Sequence, residues 1–174
     1  SLECSYWKVN PMDRPIYYFT GPVQTGKTTR ISEWSKENNS GGILAPIING
    51  KRHLKVLSTG EKKLLEVESG MNTISIGRFK FKKDVFEWGR TKLLEEYSAE
   101  PEWLVIDEFG KLELRGDGLE PAISKVIEQW KIEKRINLLF IVRDYLVEDF
   151  IKKYVSLKVH LKEFRTESKS YKSS

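Results

Sequence analysis

Cysteine and histidine are both scarce in this sequence. Cys4 is the single cysteine, and the two histidines, His53 and His160, lie far apart in the chain. An internal disulfide needs a second cysteine, and a structural zinc site needs clustered Cys or His ligands. The composition therefore excludes a disulfide-built scaffold and gives no support to a zinc module.

Long hydrophobic runs are also lacking. No stretch approaches the roughly 20 apolar residues of a membrane-spanning helix, and residues 1–15 contain no apolar signal-peptide core. We therefore expect a cytoplasmic protein with no membrane partner. With 174 residues, 39% of them hydrophobic, the chain suits one domain with its own core. We predict this domain at residues 16–164, an N-terminal extension at 1–15 and a polar basic tail at 165–174.

The excess of positive charge is confined to the C-terminal end. The formal net charge is +5, and residues 151–174 hold seven Lys or Arg against two Glu. Such a tail is typical of a solvated extension. We favour that interpretation over binding of nucleic acid or an acidic partner, which stays open as the alternative.

Apolar runs alternate with stretches of helical spacing along most of the chain. Strands are predicted at Ile16–Thr20, Trp103–Ile106, Asn137–Val142 and, at the sheet edge, Lys158–Leu161. Helices are predicted at 27–38, 83–97, 119–135 and 146–154. This alternation indicates an α/β fold with a mostly parallel sheet and helices on both faces.

Between the first two helices the pattern changes to short strands and turns. The short runs lie at 43–48, 53–57, 63–68 and 73–76. Asn49-Gly50 separates the first two runs and favours a tight hairpin, because both turn positions need positive φ. We therefore expect an antiparallel excursion from the parallel sheet. Phe79 and Phe81 follow on one strand face, where packing into the core is favoured over covering a nucleotide base.

A phosphate-binding loop follows the first predicted strand and opens a helix. Gly21 and Gly26 bracket four residues, and Lys27 and Thr28 come next, which completes the pattern. Backbone N–H groups and the positive end of the helix dipole converge there on an anion. Lys27 is expected between the β- and γ-phosphates, and the Thr28 hydroxyl on Mg²⁺. The predicted nucleotide-binding residues are Gly21, Pro22, Val23, Gln24, Thr25, Gly26, Lys27, Thr28 and, at the α-phosphate, Thr29.

An acidic pair, Asp107-Glu108, ends the second buried strand. An Asp at the carboxyl end of a parallel strand points into the same crevice as the phosphate loop, so Asp107 is predicted to support the metal together with Thr28. Glu108 is predicted as the general base for a water in line with the γ-phosphate. Acidic pairs at strand ends are commonly solvated caps, and it is the accompanying loop that favours catalysis here.

The ten residues from Val105 to Leu114, VIDEFGKLEL, closely resemble the strand signature of a small nucleoside-triphosphatase family. That family includes the human cancer-related nucleoside-triphosphatase and thermostable microbial relatives. The order of the other parts, with a glycine-led strand at Gly42 and the turn Gly77-Arg78-Phe79, is similar over about 16–161. The resemblance implies a P-loop NTPase with a RecA-like sheet.

The resemblance also implies a place for Arg143. In a RecA-like sheet the strand at 137–142 lies between the first strand and the Asp107 strand. Arg143 would then adjoin the γ-phosphate and act catalytically by stabilising the transferred group. A surface pair with Asp144 or Glu148 is an equal alternative.

Three functions compete on this sequence. The leading hypothesis is a nucleoside triphosphatase that hydrolyses the γ-phosphate of Mg²⁺-bound ATP, GTP or a related nucleotide. The first alternative is a nucleotide or small-molecule kinase, which usually closes an Arg-rich lid that is not evident here. The second is a nucleotide-dependent module that binds nucleic acid or another partner, supported only by the C-terminal charge. Glu108 beside Asp107 favours hydrolysis.

Overall fold

The computed structural model describes residues 14–21, 26–155 and 161–164. Its helices are α1 (Lys27–Lys36), α2 (Lys83–Ser98), α3 (Lys111–Leu114), α4 (Ala122–Glu133) and α5 (Val147–Val155), with a 3-10 turn at Asp144–Leu146. Its strands are β1 (Ile16–Gly21), β2 (Ser40–Leu44), β3 (Ile47–Ile48), β4 (Lys51–Val56), β5 (Lys62–Leu64), β6 (Glu66–Val67), β7 (Thr73–Ile76), β8 (Phe79–Lys82), β9 (Trp103–Phe109), β10 (Asn137–Arg143) and β11 (Leu161–Glu163). Most of the predicted extension, the loop residues 22–25, the start of the predicted edge strand and the predicted tail lie outside the described residues.

Parallel pairing dominates the central sheet. Within the described ranges its strands follow the order β11-β1-β10-β9-β2-β4-β3, and β5 also pairs with β4. The strands from β11 to β2 are parallel, whereas β4 is antiparallel to β2. β10 lies between β1 and β9, which confirms the RecA-like order that the resemblance implies. The carboxyl ends of β1, β10, β9 and β2 therefore meet at one edge, where open α/β sheets bind ligands.

Neighbouring side chains of the central strands pack into two separate cores. Phe140 of β10 faces a core covered by α2, α4 and α5, whereas Ile141 faces a core covered by α1. Trp130 of α4 and Ile31 of α1 are fully buried in these two cores. The continuous apolar runs of the sequence thus correspond to strands buried on both faces, and the predicted helix layers on both faces are confirmed.

Strand β2 departs from the sequence prediction. The short run at 43–48 is predicted as one strand of the antiparallel excursion, and the resemblance adds only that this strand is led by Gly42. Instead β2 joins the parallel sheet, with Gly42 opposite Val105, and β3 is a separate strand. Gly42 has a φ of 120°, and a Cβ there would lie 1.9 Å from the carbonyl oxygen of Val105. Glycine permits this approach, so a contact between distant segments fixes the strand.

The antiparallel excursion itself is confirmed. β3 and β4 form a hairpin through Asn49 and Gly50, whose φ values of 51° and 76° match the predicted turn. β6, β8 and β7 form a separate antiparallel sheet, in which the rings of Phe79 and Phe81 stack with centroids 6.4 Å apart. Phe81 packs against the core edge, but Phe79 is 39% exposed. The predicted core packing of Phe79 is therefore wrong, because its strand lies on an outer sheet.

Helix α4 begins at Ala122, later than predicted, and the side chain of Glu120 binds its first turn. The buried Glu120 carboxylate accepts hydrogen bonds from the backbone N–H and the hydroxyl of Ser124 at 3.0 and 2.9 Å, and from the hydroxyl of Tyr154 in α5. Burial raises the pKa of the Tyr154 phenol well above its ordinary value, and the bond to Glu120 raises this pKa further. These bonds tie α4 to α5.

Among the helices of the described residues, none has the length and apolarity needed to cross a membrane.

Candidate active site

Helix α1 begins at Lys27, directly after the phosphate loop. Gly26 has a φ of 73°, a left-handed conformation that favours glycine, and its carbonyl accepts the N–H of Arg30 at 3.0 Å. The first N–H groups of a helix have no carbonyl partner within it, and the helix dipole is positive at this end, so an anion is favoured there. The loop residues 22–25 and the side chain of Lys27 lie outside the described structure, and their phosphate contacts stay predictions.

Thr28 and Asp107 meet at the carboxyl edge of the sheet. Oγ1 of Thr28 donates a hydrogen bond to Oδ2 of Asp107 at 2.8 Å. The same oxygen accepts the backbone N–H of Ala45, the residue after β2, at 3.0 Å. Asp107 is only 1% exposed, so these bonds hold its carboxylate in one position. The structure thus brings together the two side chains that the sequence predicts as metal ligands.

The pairing of β9 with β10 shifts register at the acidic pair. Phe140 lies opposite Ile106 and Val142 opposite Phe109, so β9 has one residue more than β10 over this stretch. Such bulges are common beside active sites, where they re-aim a side chain. The side chain of Glu108 lies outside the part of the chain that the structure describes. Its role as general base therefore stays a prediction.

Arg143 ends β10 beside the phosphate loop. It is the register partner of Gly21, and its Nη1 donates to the hydroxyl of Tyr145 at 3.1 Å. The role of Arg143 at the γ-phosphate stays a prediction, and so does the alternative, a surface pair with Asp144 or Glu148. The adjacency of Arg143 to Gly21 follows from the strand order, which local sequence patterns do not determine.

The side-chain oxygen atoms of Thr28 and Asp107 suit magnesium as ligands. Mg²⁺ prefers hard oxygen ligands and usually takes one or two from the protein, the others coming from water and substrate phosphates. A hydroxyl and a carboxylate within hydrogen-bond distance of each other are such a pair. In the part of the chain that the structure describes, no group of three or more His, Cys, Asp or Glu could hold a metal. A site completed by the phosphates of a nucleotide fits these residues better than an all-protein cage.

A cavity of about 320 Å³ lies near Thr28 and Asp107, although neither residue lines it. Ala45, whose N–H binds Asp107, contributes to its wall. The rest of the wall comes from β4 with Leu65, from the end of β7 to Phe81 of β8 (76–81), from Phe86 of α2, from the segment after β9 (110–113) and from Arg143 with the 3-10 turn that follows it. The cavity is therefore next to the metal-ligand pair but is built largely from other segments.

Sequence reasoning missed both this cavity and the role of Ala45. Ala45 acts through its backbone N–H, which no side-chain pattern reports. Arg52 holds the same segment, since its Nη1 donates to the carbonyl of Ala45 at 2.6 Å. The turn at Gly77-Arg78-Phe79 is visible in the sequence, but its alternating basic and aromatic residues are typical of a solvated strand edge.

The strand order, the glycine loop before α1 and the Asp at the end of β9 define a RecA-like α/β P-loop protein. A family model described as NTPase matches residues 16–167. The chain belongs to this NTPase family. It is accordingly a nucleoside-triphosphate hydrolase, and nucleotide binding follows from the same membership.

Two solved structures have a similar fold. One is the crystal structure of THEP1 from the hyperthermophile Aquifex aeolicus, with 19% identity and a TM-score of 0.65 over 90% of this chain and 92% of that one. The other is the solution structure of a human cancer-related nucleoside triphosphatase, with 20% identity and a TM-score of 0.61 over 90% of each chain. No curated protein sequence gives a significant match. At these identities the two structures establish the fold alone.

Proposed function

We propose that this NTPase hydrolyses the γ-phosphate of a Mg²⁺-bound nucleoside triphosphate such as ATP or GTP. The observation that carries the proposal is the hydrogen bond between Thr28 and Asp107, which joins the phosphate loop to the acidic strand end. These two residues would hold Mg²⁺, which supplies positive charge against the charge that develops on the phosphates.

The phosphate loop would bind the rest of the triphosphate chain. Its backbone N–H groups and the first turn of α1 attract the phosphate oxygens, and Lys27 follows the loop at the position that reaches the β- and γ-phosphates. Thr29 would contact the α-phosphate. Arg143, the register partner of Gly21, would donate hydrogen bonds to the γ-phosphoryl group as its charge develops.

Glu108 would accept the proton of the attacking water. It directly follows Asp107, at the shifted register of β9, and its position at the carboxyl edge supports this role. A carboxylate base beside the metal-ligand pair favours water as the acceptor, so hydrolysis is the primary reaction proposed here.

The decisive experiment measures turnover of ATP and GTP against Mg²⁺ concentration in Asp107→Asn and in the parent protein. Loss of the carboxylate charge weakens metal binding, so we expect turnover to fall about 10- to 100-fold at limiting Mg²⁺. Asp117→Asn is the matched control, since Asp117 lies at the surface in an ion pair with Arg115 at 2.7 Å. Full turnover of the parent in excess chelator contradicts the proposal.

A further inference from the structure

We propose that the cavity beside Asp107 is a second ligand site, which takes a nucleoside monophosphate while a triphosphate occupies the phosphate loop. Two features of the cavity select this chemistry, a flat aromatic wall and an excess of positive charge. A third feature, its position, separates it from the triphosphate.

The aromatic wall is formed by Phe79 and Phe81. Their rings are nearly parallel, at 11°, and the guanidinium of Arg78 lies 5.0 Å from the centroid of Phe79. Phe81 in turn meets Phe86 of α2 edge to face, with centroids 6.0 Å apart, which anchors the wall on the core. A partly exposed aromatic pair of this kind, with a guanidinium over one of its rings, contacts a planar ring by stacking, and any nucleobase has such a ring.

Positive charge surrounds this wall. The cations that line the cavity are Arg52, Arg78, Lys111 and Arg143, and the accompanying carboxylate is Glu113. Glu113 is buried and accepts the backbone N–H groups of Gly110 at 3.1 Å and Leu119 at 3.3 Å, so its oxygens are engaged in holding the loop after β9. The guanidinium of Arg78 is a planar donor that matches phosphate oxygens. A ligand that combines a planar ring with a phosphate would contact both the aromatic wall and the cations around it.

The position of the cavity keeps its ligand apart from the triphosphate. This step rests on the proposed function. Mg²⁺ held by Thr28 and Asp107 would supply positive charge to the reacting end of the triphosphate, so the nucleoside end would lie farther from Asp107 than the γ-phosphate. The cavity wall includes Ala45, whose N–H binds Asp107, and Arg143, which is proposed to contact the γ-phosphoryl group. A ligand in the cavity therefore lies at the γ-phosphate side and does not replace the base of the triphosphate.

The test is a calorimetric titration of the full chain with AMP, GMP, CMP and UMP, in Mg²⁺ and a saturating non-hydrolysable ATP analogue. We expect at least one monophosphate to bind, and Phe79→Ala to weaken it roughly 5- to 150-fold, the range for loss of one base–aromatic stack. Arg78→Ala should weaken the same ligand and reduce the dependence of its affinity on salt. Lys125→Ala, an exposed position on α4, is the matched control and should change the affinity less than about twofold.

Three results overturn the proposal: no binding by any of the four monophosphates, binding that the ATP analogue abolishes, or equal affinity in Phe79→Ala and the parent. Thr28→Ala separates this proposal from the proposed function. It should reduce triphosphate turnover and leave monophosphate affinity unchanged. If Thr28→Ala turns over triphosphate normally, the metal-site assignment fails, whereas the Phe79→Ala titration still decides the cavity.

Discussion

The parallel half of this molecule, β1, β2 and β9–β11 with their helices, contrasts with its antiparallel part, β3–β8. Strand β10 is buried from Leu138 to Val142, whereas all three residues of β5 are exposed and Phe79 of β8 is 39% exposed. Thr28 and Asp107, the predicted metal ligands, belong to the parallel half, and much of the cavity wall belongs to the antiparallel part. The comparison teaches that the residues predicted to bind Mg²⁺ lie on a buried scaffold, whereas the proposed second ligand site takes its aromatic wall from a more exposed sheet, where a substitution costs less stability.

The largest expected effect tests whether the chemistry belongs to the parallel half. Glu108→Gln keeps the shape of the side chain but removes the proton acceptor, so we expect turnover to fall about 10²- to 10⁴-fold. Nucleotide affinity should stay near that of the parent, because the phosphate loop is unchanged. Single-turnover phosphate release and a nucleotide titration measure the two quantities. Phosphate release within about threefold of the parent, far below the loss expected for a missing base, would show that Glu108 is not the base.

Core truncation tests whether the parallel half also carries the stability. Phe140 lies fully buried in β10, in ring contact with Phe150 at 5.1 Å between centroids. Phe140→Ala leaves a cavity between β10 and α5, so we expect it to cost about 3–5 kcal/mol of unfolding free energy. Urea denaturation of variant and parent gives this value. A cost below about 1 kcal/mol would mean that the parallel core tolerates loss of a large ring.

A smaller effect is expected from Tyr154→Phe in α5. It removes the hydroxyl that donates to the buried carboxylate of Glu120, so we expect a loss of about 1–3 kcal/mol near neutral pH. Tyr145→Phe, at an exposed position, is the matched control and should stay within about 0.5 kcal/mol.

The difference in stability between the parent protein and Tyr154→Phe is expected to depend on pH. The folded-state pKa of Tyr154 is raised above the ordinary value of 10.0, so its contribution to stability is fully present below that value and is lost as pH rises beyond it. The advantage of the parent over Tyr154→Phe should therefore shrink above about pH 10. Denaturation curves at neutral and alkaline pH measure it, and a growing advantage would contradict the assignment.

The smallest expected effect sharpens the comparison by repeating one substitution in the other region. Phe79→Ala removes the same atoms as Phe140→Ala, but from a partly exposed ring. We therefore expect the free energy of unfolding to change by no more than about 0.5–1 kcal/mol. Urea denaturation of the two Phe→Ala variants side by side gives the contrast. Equal losses would show that the antiparallel part is as strongly packed as the parallel half.

Local patterns anticipated much of the parallel half. The buried runs at Trp103–Ile106 and Asn137–Val142 lie inside β9 and β10, because strands buried on both faces need continuous apolar residues. The hairpin at Asn49-Gly50 was predictable for a similar reason, since its turn needs two residues that tolerate positive φ. The exposure of Phe79 was not predictable, because alternation gives a strand two faces but does not say which face has a neighbour.

By itself, the sequence determined helix α1, and it predicts the phosphate loop at Gly21–Thr28 before that helix, since glycine spacing and helix propensity act between neighbours in the chain. It also determined the apolar strands and the acidic pair that ends one of them. Only the tertiary structure decided that Thr28 lies 2.8 Å from Asp107, that Gly42 joins β2 to β9, and that Ala45 links the metal-ligand pair to a cavity. These contacts join residues more than 60 positions apart, and their energy depends on packing and strand order that no local pattern contains.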